Sequence, residues 1–234
     1  MNSNAHAGRR LTMALAGLLA LASMVVVLAI AGTNDTHADD GHGHGDVKAV
    51  AAEKTDKQAA LHDGMRKLWQ DHITWTRLAI ISFAHDLPDL PATQARLLNN
   101  QDDIGNAIKP YYGKVAGNQL TALLKEHIVG AVALLTVAKA GDKAGIEQRS
   151  AEWYANGNAI ADFLSKANRK NWPKATMRAM MKSHLDDTLG EAVHRLEGEY
   201  AADARHYDHI HTHILKMADA LTNGIVKQFP KKFR

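Results

Sequence analysis

Histidine is the residue through which this chain could do chemistry. Three stretches, MRKLWQDHI, LTALLKEHI and MRAMMKSHL, share one form: apolar, three residues, apolar or aromatic, two residues, histidine, then Ile or Leu. Their histidines, His72, His127 and His184, are separated by 55 and 57 residues. His72 stands in the row Leu61, Met65, Leu68, His72, Trp75, Ala79, whose alternating steps of four and three are those of a buried helix seam. His127 interrupts a like row, Leu120, Leu124, His127, Ala131, Leu134, and His211 interrupts Tyr207, His211, Ile214, Ala218, Leu221. His184 borders a core, because Leu185, Leu189, Ala192 and Leu196 form a competing apolar row. Asp208 lies three residues before His211, where it shares its helix face, and Asp103 or Asn100 beside Ile104 and Asn156 beside Ile160 add polar groups at the middle of their own helices.

If these helices assemble with their centres level, His72, Asp103, His127, His184, Asp208 and His211 form one polar layer inside an apolar bundle. Bundle interiors hold metals through imidazole and carboxylate groups on facing helices. Neutral imidazoles with a carboxylate suit Zn, Cu or Fe, and an open coordination position would allow Lewis-acid or redox chemistry. Two readings compete with metal binding for storage, sensing or delivery. One is a metalloenzyme with an oxidative or hydrolytic site. The other is a metal-free structural or interaction protein of the cell envelope, whose histidines hydrogen-bond across the core and fix helix register.

Six helices must position these residues. No stretch alternates β-branched and polar residues, so the fold expected is all-α, an antiparallel bundle of three helical hairpins. The first helix runs from about Glu53 to Asp86 and stops before LPDLP. The second, from about Ala92 to Lys109, stops at Pro110, and YYGKVAG is a loop. Asn118 caps a third helix that ends at Gly141; the fourth covers about Ala144 to Ala167, the fifth starts at Pro173, and the sixth runs from Glu199 to Gln228. The histidine period is the length of one hairpin. The bundle domain is residues 53–230.

Arg9 and Arg10 precede Leu11–Gly32, an uncharged run long enough to cross a bilayer. Residues 1–32 therefore read as a signal peptide or a membrane anchor, which places the rest of the chain outside the cytoplasm, in the bacterial cell envelope, tied to the membrane if uncleaved. Residues 33–52 form a linker rich in Gly, Asp and His, and His37, His42 and His44 there suit modest metal capture. Lys+Arg 28 against Asp+Glu 25 gives a net charge of only +3, so no basic face for nucleic acid is expected. Cysteine is absent, which removes disulfides and thiolate chemistry.

The stretches LHDGMRKLWQDHITWTR, NQDDIGNAIKPYYG, LLKEHI and NWP through MMKSHLDDT resemble a group of uncharacterised exported bacterial proteins, over most of residues 60–230. Some members carry automated glycosyltransferase labels, but the resemblance brings no established activity and no functional residue. The label fits poorly, because Asp102-Asp103 lies within a helix and the chain has neither strands for a nucleotide-sugar sheet nor a Gly-rich phosphate loop. No nucleotide cofactor is expected.

Overall fold

Thr55 starts the first helix by accepting the Gln58 N–H on its hydroxyl oxygen (3.3 Å), and Asp56 follows in the first turn, where a carboxylate opposes the helix dipole. The computed structural model describes residues 55–234; the expected N-terminal apolar helix, the whole linker and the first two residues of the expected bundle domain lie outside the described residues. Among the described residues there are five α-helices and no strand: α1 (Asp56–Ala84), α2 (Leu90–Ala140), α3 (Lys143–Ala167), α4 (Lys174–Leu196) and α5 (Tyr200–Gln228). A short 3-10 turn, Pro230–Phe233, follows α5, and the Thr55 hydroxyl donates to Phe233 O (2.9 Å), tying the start of α1 to that turn.

The expected second and third helices are present as two limbs of α2 that meet at Gly113 without an intervening loop. Pro110 does not end a helix and Asn118 does not begin one; α2 runs through both and leaves helical geometry only at Gly113, at φ 85° and ψ 168°. Tertiary packing overrides the local signal. Tyr111 stacks on Phe233 (ring centroids 5.7 Å) and the Tyr112 hydroxyl donates to Gln228 Oε1 (2.7 Å), so both tyrosines are held in helix after the proline. Positive φ at Gly113 then reverses the chain, which a Cβ would oppose. The two limbs of α2 return against each other closely enough that a Cβ on Gly105 would lie 2.7 Å from Gly117 O, and one on Gly117 2.7 Å from Gly105 O.

Neighbours follow chain order and close on themselves: α1 packs on α2, α2 on α3, α3 on α4, α4 on α5, and α5 back on α1. The apolar rows meet at the centre, where Ile104, Ile160, Leu185, Ile214 and Ile225 are almost wholly buried. By length and composition α2 includes a stretch apolar enough to cross a membrane, a test that core helices of soluble domains also pass. Here it packs against α1 and α3.

Candidate functional site

The heptad rows of α1, α2 and α4 carry His72, His127 and His184 to the same level of the core, where they are 2%, 4% and 4% exposed. The His184 ring centroid is 5.6 Å from that of His72 and 6.3 Å from that of His127. Burial is the largest influence on all three and disfavours the charged ring, holding His72 at about 3, His127 at about 4 and His184 well below the usual 6.5. Mutual repulsion acts in the same direction, from His127 on His72 and from His72, His127 and His213 on His184. All three are therefore neutral at physiological pH.

Each histidine sits in the same local scaffold. Asn100 Nδ2 donates to Leu68 O (3.1 Å), Asn156 Nδ2 to Leu123 O (3.2 Å), and His213 Nε2 to Met180 O (3.0 Å). In every case the acceptor is the carbonyl four residues before the histidine, and the donor comes from the next helical limb. The histidine's own carbonyl also takes a side-chain donor each time: Thr76 on His72 O (2.8 Å), Trp153 Nε1 on His127 O (3.1 Å), and Thr188 on His184 O (2.8 Å). The sequence repeat is thus a repeat of hydrogen bonding.

The rings differ in what they face. Gln101 Nε2 donates to His72 Nδ1 (3.3 Å), which puts the His72 proton on Nε2. His127 Nδ1 donates to Asn156 Oδ1 (3.2 Å), because the Asn156 amide nitrogen is committed to Leu123 O, and this leaves the Nε2 lone pair free. Trp153 stacks on the His127 ring at 5.1 Å. His184 Nδ1 is buried with no hydrogen-bond partner, and so are Gln101 Oε1 and Trp69 Nε1 nearby. Buried polar atoms are nearly always paired, so three orphans around one layer mark it as unusual.

The other expected members lie elsewhere. Asp103 is half exposed, 3.6 Å from Arg96, because the inward face of α2 runs through Leu97, Asn100, Gln101 and Ile104. Asp208 is exposed, and His211 is half-buried with Nε2 3.3 Å from Gln70 Nε2. The buried row of α5 passes through Asp203, Ile210 and Ile214, so His211, one residue past Ile210, points about 100° away from the core. Among the described residues no three His, Asp or Glu side chains stand close enough to hold one metal ion as they are. The sequence reading missed His213 and Gln101; the separation of Asn100, Asn156 and His213, 56 and 57 residues, matches the histidine period and would have found the former.

Two turns beyond His184 on the same face of α4, Glu191 joins a buried ion cluster. Arg77 NH1 donates to Glu191 Oε1 (2.6 Å) and Asp203 Oδ1 (2.7 Å), and Arg195 reaches Asp203 Oδ2 at 3.2 Å. Arg77 lies over Tyr207 and Arg195 over Tyr200, at 4.7 and 4.8 Å. Burial pushes the Glu191 carboxyl up to about 7 despite Arg77. Arg77 thus makes an ion pair across the bundle, separate from the imidazole layer. Compared with protein-family models, curated proteins and solved structures, the chain matches none of them.

Proposed function

We propose that this protein is an extracytoplasmic helical bundle that binds a transition-metal ion through His72, His127 and His184, for storage, sensing or delivery. The observation that carries the reading is the meeting of three buried, neutral imidazoles from successive hairpins with His184 Nδ1 left without a protein partner. Metal–nitrogen bonds of about 2.0–2.1 Å put the rings of a three-histidine site roughly 5 Å apart, centre to centre. The separations of 5.6 and 6.3 Å from His184 exceed that by about 0.6 and 1.3 Å, a gap for side-chain rotation to close once His72 gives up Gln101. The export of the domain rests on Arg9, Arg10 and Leu11–Gly32 and on the resemblance to exported proteins.

Charge narrows the choice among Zn, Cu and Fe. The layer has no carboxylate, so the ion keeps its full charge in an apolar core. Desolvation scales with the square of charge, and a divalent ion costs about four times as much to bury as a monovalent one. Cuprous copper, monovalent and content with two or three nitrogen ligands, fits best. Elemental analysis of protein expressed with export tests this. One copper per chain, removed by bathocuproine and lost in His184→Ala, supports the reading; metal-free protein whose thermal stability does not respond to Cu(I), Zn(II) or Fe(II) sinks it.

A second reading draws on the bonds from His72 to Gln101 and from His127 to Asn156, which would fix helix register without any ion. It expects His127→Leu to loosen the bundle in metal-free protein while leaving no metal-dependent property to lose.

A further inference from the structure

We infer that the seam between α4 and α5 is the path by which the ion travels to the buried layer, and that it begins at a second, surface metal site formed by Asp187, His194, His206 and His209. The path rests on the reading of the layer as a metal site; the surface site does not.

The sequence RHYDHIHTH places His206, His209 and His213 at i, i+3 and i+7, one face of α5. His206 lies flat against α4 where Gly190 has no side chain: a Cβ there would sit 2.6 Å from His206 Cε1. His206 Nε2 is buried without a hydrogen-bond partner and lies 3.6 Å from Asp187 Oδ1. The His194 ring is 5.6 Å from the His206 ring, and the exposed His209 ring is 6.3 Å from it on the other side. Three imidazoles and a carboxylate thus lie along the surface around His206, and rotation of the half-exposed side chains would have to bring them onto an ion. Glu199, 2.8 Å from His194 Nδ1, adds a second anion.

His213 lies between this group and the layer along α5. His213 follows His209 by one turn and donates to Met180 O, in the turn of α4 that leads to His184. His184 in turn neighbours His72 and His127 at 5.6 and 6.3 Å. Ring spacings of 5.6–6.3 Å within the surface group and within the layer let an ion held by one ring be taken by the next as side chains rotate, with His213 as the link between them. Asp187 and Glu199 attract a hydrated cation at the outer end, and the inner layer receives it stripped of water.

The test uses the full chain under anaerobic conditions. Cu(I) is presented as its bicinchoninate complex, and transfer to the protein is followed by loss of the chelator's colour. The double variant His206→Gln/His209→Gln is expected to slow transfer at least tenfold and to lose the ion held at the surface site, while the buried layer still fills. His211→Gln, whose side chain faces Gln70 on α1, should leave the rate unchanged. Should circular dichroism show the double variant misfolded, the exposed His209→Gln alone must still slow transfer. Separately, Zn(II) should shift the ring-proton NMR signals of His194 and His206 in the wild-type chain. Equal transfer rates overturn the path, and unshifted His194 and His206 signals overturn the surface site. Zn(II) shifts without any Cu(I) uptake uphold the surface site and overturn both the path and the buried metal layer.

Discussion

Lowering the pH from about 6.5 to about 5 should remove a large part of this protein's stability, and the histidine layer sets the size of the loss. His72, His127 and His184 bind protons readily when unfolded, near 6.5, but resist them when folded: His72 at about 3, His127 at about 4 and His184 well below 6.5. A group whose folded pKa is depressed contributes stability that is full above the unfolded value and is lost as pH falls toward the folded one. Each pH unit in that window is worth about 1.4 kcal/mol per histidine, so over this interval the three together lose about 5 kcal/mol. Glu191 acts in the opposite sense. Its folded value, about 7, is above the ordinary 4.5, so the folded state takes up its proton first and gains about 1.5 kcal/mol over the same interval. The net loss is about 3 kcal/mol, against a total stability of about 5–15 kcal/mol for an ordinary domain. Urea unfolding of metal-free protein followed by far-UV circular dichroism at both pH values measures it. His127→Gln should reduce the loss by about 1.5 kcal/mol, and Glu191→Gln should increase it by a similar amount. A net change under about 1 kcal/mol in the wild-type chain would refute the claim that three neutral imidazoles are buried together.

Further expectations concern the scaffold. Asp203→Asn leaves Arg77 and Arg195 without their shared anion and should cost about 3–5 kcal/mol in urea unfolding, with little dependence on metal. Gly105→Ala drives a methyl group into Gly117 O and the Thr121 side chain, lowering stability by about 1–3 kcal/mol, whereas Gly64→Ala, with nothing within 4 Å, should raise it by about 0.5–1 kcal/mol. Asn156→Ala leaves His127 Nδ1 unpaired and removes the side-chain bond that Leu123 O accepts besides its helical one, and should cost about 1–3 kcal/mol, read as a fall in the urea midpoint at unchanged slope.

Apolar periodicity carried most of the architecture, because a row at steps of three and four has one way to be buried. His72, His127 and His184 were legible for that reason: each is the polar member of such a row. Three features were not. Tyr111 and Tyr112 remain helical after Pro110 and pack on Phe233 and Gln228, more than a hundred residues away, which no local signal reveals. The α5 row slips by one position at Ile210, since Asp203 is drawn inward by Arg77, and no local pattern announces a carboxylate that a distant guanidinium will bury. His213 stands outside every apolar row, and only its spacing from Asn100 and Asn156 connects it with the layer. Which expected ligands would actually face one another depended on rotations of about 100° per residue, finer than hydropathy resolves.

The three side-chain clasps on Leu68, Leu123 and Met180 also bear on how the bundle comes apart. All grip at mid-height, so a hairpin cannot creep along its neighbour without releasing one, while the ends of the helices are free to fray. Opening should therefore spread from both tips toward the waist, and the slowest amide protons to exchange with deuterium should lie in the turns that lead to His72, His127 and His184. A ligand held at that waist would become reachable by solvent last, so its escape would follow the rate of whole-bundle opening unless a side path such as the α4/α5 seam let it out sooner.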